Sequence, residues 1–346
     1  MNKKINWEAA SNIAIVKYWG KRAHQLPINP SLSFTLSTCK TKTSIDWEQR
    51  SELDHLAFEF FYDGQRKPRF EYKLKSFFSQ LETLYPEFKS VYLNIDSINS
   101  FPHSAGIASS ASSMAALSLC MMTIQNEIKG VVMPQEEFLN KASYLARLGS
   151  GSACRSVYPI AAAWGESLNL PGSSDEYAIP MADSIHEDFK SIQDYIFIVS
   201  RAEKKVSSSA GHQLMERHPY REARIQQAQD HFNKLVPVLK TGDWTGFSKI
   251  CETEALSLHG LMMSSYPSYI LLEPESIHII NEIKLFQQES KLPITFTIDA
   301  GPNIHLLFPQ RIQEEVDSWI QQSLSKYWDE EQIIFDDLGI DSKPGV

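Results

Sequence analysis

A chain of 346 residues with 42% hydrophobic and 11% aromatic content is long enough for two domains or one two-lobed unit, and too apolar to be globally disordered. Its formal charge of -9, from 33 Lys+Arg against 42 Asp+Glu, argues against nucleic acid or anionic membrane as partners and makes any local cluster of cations a pointer to a particular anion. Four scattered cysteines with no CxxC pair, no apolar stretch behind the basic residues of MNKKINWEAA and no apolar run of about 18 residues point away from disulfides, zinc, a signal peptide and a membrane span, and so toward the cytoplasm.

Taken in chain order, residues 12–19 read as a strand that runs into a turn at Gly20. Residues 32–36, 43–47, 56–62 and 91–95 follow as further strands. The stretch 108–128, rich in small and apolar residues at helical spacing, predicts a largely buried helix, and a second helix covers 135–148 with Gly149 as its stop. The polar segment 166–190, carrying Pro171, Gly172 and Pro180, is the best domain boundary, which divides the chain into 1–185 and 186–346. Beyond it a buried strand at 194–200 precedes helical patterns near 210–217, 220–240, 244–263 and 274–289, short β-rich runs at 294–298 and 304–308, and a closing helix near 311–325. This order predicts an α+β fold rather than a regularly alternating parallel sheet.

Four segments can carry chemistry. Pro102–Ala111, just ahead of the long helix, offers small residues and free amides to a phosphate, with Ser109 and Ser110 adding hydroxyls, one of which can reach Mg²⁺. It lacks the GK[ST] ending of a Walker loop, and an ordinary helix start with serine caps explains it as well. Ser11–Arg22 sets three cations, Lys17, Lys21 and Arg22, within six residues at the end of an apolar strand, which is either a phosphate or carboxylate contact or a solvated basic turn. Arg147–Ser156 is either a flexible Gly/Ser loop or a second oxyanion cradle ending in the fork of Arg155. Cys154 has no Cys/His/Asn constellation around it and is set aside as a nucleophile. In Thr295–Asn303, Asp299 sits where a strand meets a Gly-Pro turn, either as a turn former or as a carboxylate that accepts a hydroxyl proton in a cleft. Ser207–Gly211 is a weaker anion-binding candidate at a helix start. Together these features suit phosphoryl transfer: two phosphate-binding loops, flanking cations and one carboxylate.

Pro102–Ala111 resembles the phosphate-binding loop of the GHMP kinase superfamily. Asn12-Ile13-Ala14 through Lys17-Tyr18-Trp19-Gly20-Lys21, Gly149 through Ser156 and Asp299-Ala300-Gly301-Pro302-Asn303 are similar to the signatures of the diphosphomevalonate decarboxylase family, in the family's order and across most of the chain. The resemblance implies an S5-like N-terminal half (1–185, binding ATP) and a ferredoxin-like C-terminal half (186–346) around one cleft, and commonly a homodimer. It implies Mg²⁺-dependent reaction of ATP with 5-diphosphomevalonate, giving isopentenyl diphosphate, carbon dioxide, ADP and phosphate. Asp299 would take or orient the 3-hydroxyl proton, Lys17 would steady Asp299 and the transferring phosphoryl, and Arg155 would hold the substrate carboxylate. Ala14, Tyr18, Trp19, Lys21, Ser150, Gly151, Ser152, Ser208 and Ser209 would bind substrate; Ser97, Asn99, Ser104, Ala105, Gly106, Ala108, Ser109 and Ser110 would hold ATP, with Ser110 on the metal.

The sequence departs from the family pattern at His103, Ile107 and Ala108 in the phosphate loop, which leaves its small-residue geometry intact. It departs again where some members have an arginine near Ser209 and a methionine at His212; Lys204, Lys205 or His212 is then the residue to compensate. A decarboxylase acting on the monophosphate, a kinase of the same superfamily that does not decarboxylate, and a nucleotide-binding protein with a degenerate site are the competing readings. The joint presence of Asp299, Lys17 and Arg155 favours the decarboxylase.

Overall fold

The computed structural model describes residues 3–101, 107–201, 206, 208–324, 332–339 and 343–344, the side chains of Arg69, Ser208, Ser209, Lys343 and Pro344 excepted. Its first half grows from β1 (Lys3–Val16) and β2 (Ser31–Gln49), an antiparallel pair running from Lys3 opposite Trp47 to Val16 opposite Leu32. The sequence reading broke β2 into 32–36 and 43–47 at the polar run around Thr38–Lys42. The strand instead continues as one element with an irregularity there: its pairing with β1 steps from Asn12 opposite Thr35 to Ala10 opposite Lys40, and beyond it Cys39, Thr41, Thr43, Ile45 and Trp47 alternate into the core, where β-branched threonine suits a half-buried pleated surface. Next come β3 (Ala57–Tyr62), β4 (Gln65–Arg66) and β5 (Val91–Asn99), with β3 parallel to β5 and β5 antiparallel to β2.

Between β4 and β5 runs α1 (Pro68–Leu84), which the sequence reading missed although Leu74, Phe77, Phe78 and Leu81 fall on one helical face and are buried. The two helices expected after β5 are α2 (Ser109–Lys129) and α3 (Gln135–Gly149). α2 is buried on most sides and closes at Gly130, whose φ of 63° is the left-handed cap that glycine favours. Gly149 has a different reason from the expected stop: it is the last helical residue, and a Cβ there would come within 2.0 Å of Met114 on α2. The chain then adds β6 (Ala161–Trp164) to β2 and β7 (Ile179–Pro180) to β6, so the segment 166–190 holds a strand and also α4 (Glu187–Lys190).

The second half is a four-stranded antiparallel sheet in the order β11-β8-β10-β9, built from β8 (Ile192–Phe197), β9 (Thr295–Thr297), β10 (Ile304–Pro309) and β11 (Ile333–Asp337). Its helices are α5 (Ser208–Leu214), α6 (Arg221–Thr241), α7 (Trp244–Met263), α8 (Pro274–Ser290) and α9 (Gln313–Trp319), close to the expected stretches. The expected final helix does not close the fold. α9 passes into a π turn at Ile320–Leu324, β11 then pairs with β8, and β12 (Lys343–Pro344) returns to the edge of β1. Asp336 of β11 accepts backbone N–H bonds from Ser37, Thr38 and Cys39, which ties this sheet to β2.

The two halves share an interior. Ile13, Leu32 and Phe34 pack in one cluster with Phe189, Ile196, Phe232, Trp244 and Phe247. That common core fixes the end of β1, and the residues just past it, against α6, α7 and β9. Among the described residues no helix is long and apolar enough to cross a membrane.

Candidate active site

Just beyond β1, Lys17 is only 1% exposed. Its ammonium donates to the Ala14 carbonyl at 2.6 Å, to Thr297 Oγ1 at 2.8 Å and to Asp299 Oδ1 at 2.8 Å. An ammonium has three N–H bonds, so all of them are in use. The backbone of Lys17 is gripped as well. Its N–H donates to Glu254 Oε2 of α7 at 2.8 Å, and its carbonyl accepts from Asn29 Nδ2 at 3.1 Å and from Arg224 Nη2 of α6 at 3.4 Å. Arg224 and Glu254 form two bonds of 2.6 Å, and His231 Nδ1 lies 2.6 Å from Glu254 Oε1. Burial alone would raise the Glu254 pKa, but the bonds and charge of Arg224, with help from His231 and the Lys17 amide, hold it down at about 2.

Asp299 follows β9, and its side chain keeps 28% of its surface open to the cleft. Its Oδ1 accepts from the Lys17 ammonium, so this carboxylate is engaged by a buried cation. The backbone around it is fixed by His259 Nε2, which donates to the Asp299 carbonyl at 3.1 Å, and by the Gly301 N–H, which does so at 2.7 Å.

Arg155 is carried on a buried 3-10 turn spanning Gly151–Val157 rather than on a flexible loop. Its Nε donates to Ser33 Oγ at 2.9 Å, Nη1 to Ser31 Oγ at 2.5 Å and Nη2 to Asn12 Oδ1 at 3.4 Å. Asn12 is itself held by bonds to the Ser152 carbonyl and Ser156 Oγ. A guanidinium has five N–H bonds, so two are left over on a group that lines the cleft. Burial lowers the Arg155 pKa while Cys154 and Asp299 raise it; arginine stays charged throughout. Cys154, excluded above as a nucleophile, points inward, donates to the Gly151 carbonyl at 3.0 Å and is pushed up to about 12 by burial.

One wall is aromatic and basic. Tyr18 packs against Trp164 and His212 with ring centroids 4.7 and 4.5 Å apart, and its hydroxyl donates to the Gln25 carbonyl. A Cβ on Gly151 would sit 2.7 Å from that hydroxyl oxygen, so the glycine is what lets the turn carrying Arg155 pass so close. Trp19 is buried among Met215, Leu258, Leu261 and Met262. Lys21 donates to Gln25 Oε1 at 2.9 Å, and burial lowers its pKa.

α2 follows Ala108, which caps it without a side-chain bond, and this sets aside the serine-cap alternative. Ser109 and Ser110 occupy its first turn, where the amides have no intrahelical acceptors. Ser110 Oγ lies 3.3 Å from Ser150 Oγ. These residues border one cleft of about 1020 Å³ that takes in Ala14, Lys17, Tyr18, Trp19, Lys21, Ala108, Ser110, Ser150, Gly151, Ser152, Arg155, His212 and Asp299.

Two of the expected ATP contacts are not brought to this cleft. Ser97 is buried in the β2–β5 pairing, its Oγ 2.9 Å from Thr43 Oγ1, and Asn99 Oδ1 accepts from Thr41 Oγ1 at 2.9 Å. Both side chains are taken up within the sheet by threonines of the neighbouring strand. Ser104, Ala105, Gly106, Lys204 and Lys205 lie outside the described residues, as do the side chains of Ser208 and Ser209. The sequence reading missed the wall that α1 supplies through Lys73, Ser76, Phe77 and Gln80, and it missed the buried pair Arg224–Glu254 behind Lys17. The first had a signal in the α1 apolar stripe. The second had none, since two charges 30 residues apart on separate helices read as solvated faces.

Among the described residues no group of three or more His, Cys, Asp or Glu could hold a metal ion. A cleft offering one hydroxyl at a helix start suits Mg²⁺, which keeps several waters and is held mainly through substrate phosphates.

The geometry has clear relatives. Residues 9–178 match the family described as "Diphosphomevalonate decarboxylase-like N-terminal domain", and residues 195–341 match "Mevalonate 5-diphosphate decarboxylase C-terminal domain". A diphosphomevalonate decarboxylase of Candida albicans is 30% identical over 322 residues, covering 89% of this chain and 85% of its own length. The mevalonate diphosphate decarboxylase of Staphylococcus aureus superposes with a TM-score of 0.85 at 26% identity, over 100% of this chain and 99% of that one. MDDEF in complex with MVAPP, AMPPCP and magnesium gives a TM-score of 0.80 at 27% identity, over 99% of both chains.

Proposed function

The chain belongs to the diphosphomevalonate decarboxylase family, and from that premise we propose how its cleft turns (R)-5-diphosphomevalonate and ATP into isopentenyl diphosphate, carbon dioxide, ADP and phosphate. The carrying observation is a carboxylate and a spare-handed guanidinium lining one cleft, Asp299 held by Lys17 and Arg155 held by Asn12, Ser31 and Ser33.

The tertiary 3-hydroxyl is a poor leaving group until it is phosphorylated. Asp299 accepts or orients its proton as the hydroxyl oxygen attacks the terminal phosphoryl. Lys17, whose three N–H bonds are already committed, acts through Asp299: it keeps the carboxylate aimed and in place. When the new phosphate departs, positive charge develops at C3 and the carboxylate is lost as carbon dioxide. The two remaining N–H bonds of Arg155 match the two oxygens of that carboxylate and hold its C–C bond in line.

Tyr18, Trp19, Lys21, Ser150, Gly151 and Ser152, with the backbone at Ala14, frame the rest of the substrate; Ser208 and Ser209 join them by the family resemblance. ATP lies toward Ala108, Ser109 and Ser110, whose uncapped amides favour phosphate, with Ser104, Ala105 and Gly106 expected from the loop before them. Ser110 is the residue we place on Mg²⁺. Bound there, the ion neutralises charge on the phosphates during transfer.

We take 1–185 as the ATP-binding half and 186–346 as its partner half, and infer a homodimer working in the cytoplasm, where ATP is plentiful. Light scattering of the purified protein tests the dimer. The reaction is tested by mixing the protein with Mg-ATP and either 5-diphosphomevalonate or 5-phosphomevalonate and counting ADP and carbon dioxide together. Equal yields of both with the diphosphate are expected. ADP without carbon dioxide would make the protein a kinase, and activity with the monophosphate alone would change the substrate while keeping the mechanism.

A further inference from the structure

His212, on α5, stands where the family resemblance places a methionine, and nothing in the reaction as derived above uses it. It is 8% exposed and borders the cleft beside Tyr18 and Trp19, its ring centroid 4.5 Å from the first and 4.8 Å from the second. The ring is pinned in the plane as well as between the faces. The backbone N–H of Gly20 donates to His212 Nδ1 at 2.9 Å. An amide N–H has no acceptor capacity, so Nδ1 must be the unprotonated nitrogen and the proton of the neutral ring must sit on Nε2. Among the described residues Nε2 has no hydrogen-bond partner. It is therefore a donor of fixed direction on a side chain that lines the cleft.

The electrostatics agree. Burial, with the nearby Lys21 ammonium, pushes the His212 pKa down to about 3, so the ring is neutral at physiological pH. A neutral donor beside a lysine is a pairing suited to an anion of more than one oxygen: the lysine supplies charge, and the imidazole supplies direction without a second buried cation to desolvate. Arg155, with its two uncommitted N–H bonds, answers the substrate carboxylate, which leaves the phosphate end for Lys21 and His212.

We propose that His212 is a specificity-determining residue of this chain, donating its Nε2 proton to a phosphate oxygen of the substrate's diphosphate beside Lys21. This rests on the function proposed above. Gly20 serves it in two ways. Its N–H fixes the tautomer, and with φ of 90° and a would-be Cβ only 2.3 Å from Ile28 Cδ1 only glycine fits the turn that presents that N–H.

The test uses ¹⁵N-histidine-labelled protein, the His212 signals being assigned by their loss in His212→Gln. The free protein should show the Nε2–H tautomer at neutral pH. Saturating 5-diphosphomevalonate, without ATP, should shift the Nε2 resonance and slow exchange of its proton. An Nδ1–H tautomer, or an Nε2 signal unmoved at substrate concentrations that saturate turnover, would overturn the proposal.

Kinetics give the second arm. His212→Met should raise KM for 5-diphosphomevalonate by about tenfold with little change in kcat or in KM for Mg-ATP, as expected for one lost hydrogen bond to a charged oxygen. His212→Gln, which keeps an N–H donor, should recover most of that loss. Equal KM values in the two variants, or a fall in kcat without a change in KM, would assign His212 to packing instead. If His212→Met does not fold, the glutamine variant and the resonance shift decide the matter. A parent enzyme that releases no carbon dioxide from the diphosphate would instead remove the function on which this rests, which the product count reads separately.

Discussion

Lys17 and Arg155 are both buried cations, each 1% exposed, and the protein treats them in opposite ways. Lys17 has every N–H bond filled by protein acceptors, one of them a carboxylate. Arg155 is held by two hydroxyls and an amide oxygen, with no ion pair among the described residues and with N–H bonds to spare. An uncompensated buried charge is costly, so a site that keeps one is arranged for an anion that arrives with the ligand. The contrast assigns roles: Lys17 orients the protein's own carboxylate, and Arg155 waits for the substrate's. The origin of the contacts differs too. Lys17 is secured by Thr297, Asp299, Glu254 and Arg224 from the second half of the chain, whereas Arg155 is secured within the first half by β1 and β2.

The largest effect expected is at Asp299. Asp299→Asn removes the proton acceptor and leaves Lys17 facing a neutral amide, so turnover should fall by a factor on the order of 10² or more while ATP still binds. Steady-state rates with an equilibrium ATP-binding measurement check it, and turnover close to the parent removes Asp299 from the mechanism. Next is Arg155→Lys. A point charge cannot reach Ser31, Ser33 and Asn12 and also present a fork, so kcat/KM for the diphosphate should drop by roughly 10². Near-normal kcat/KM argues against bidentate holding.

Glu254→Gln sharpens the Lys17 side of the comparison. It turns a buried ion pair into an unpaired arginine, which is expected to cost about 3 kcal/mol or more and to lower the melting temperature by several degrees. Turnover should fall about tenfold with KM for Mg-ATP unchanged, because only the position of Lys17 is loosened. A variant as active as the parent means that the common core alone places Lys17. A smaller effect belongs to Ser110→Ala, with KM for Mg-ATP raised severalfold, kcat lowered modestly and KM for the diphosphate unaffected. An unchanged Mg-ATP dependence moves the metal contact elsewhere.

The last expected effect is on the pH dependence of stability and leaves turnover at neutral pH aside. Burial and the Lys21 ammonium push the His212 pKa down to about 3 against an ordinary 6.5, so on acidification the unfolded chain takes up a proton that the folded chain refuses. Stability is therefore lost as pH falls from 6.5 toward 3, and His212→Met should flatten that part of the curve, measured by denaturant unfolding at several pH values. Curves that stay parallel would mean that His212 protonates normally in the folded protein.

The sequence made the site more legible than the way the site is held. Lys17, Arg155 and Asp299 stood out because each lies in a short run of distinctive residues at the end of a strand or helix, and the structure brings them to one cleft. Strand β2 was half legible, since its middle carries Thr38 to Lys42 and alternation by buried threonines looks polar. β11 was missed because its few residues gain their meaning from pairing with β8 and from Asp336 gathering the amides of Ser37 to Cys39. Arg224, Glu254 and His259 were invisible for the same reason: each is an ordinary helical residue until tertiary packing sets it behind Lys17 or Asp299. Ser97 and Asn99, read as ATP contacts from their place before the phosphate loop, meet Thr43 and Thr41 of β2 among the described residues, a pairing the sequence does not announce.

The division of labour between the two cations is tested most directly by a single-turnover time course with Arg155→Lys, enzyme in excess over 5-diphosphomevalonate, following ADP and carbon dioxide in the same quenched samples. If Lys17 and Asp299 serve phosphoryl transfer while Arg155 serves loss of the carboxylate, ADP should appear well ahead of carbon dioxide in the variant and together with it in the parent. ADP and carbon dioxide slowed equally and still in step would contradict that division.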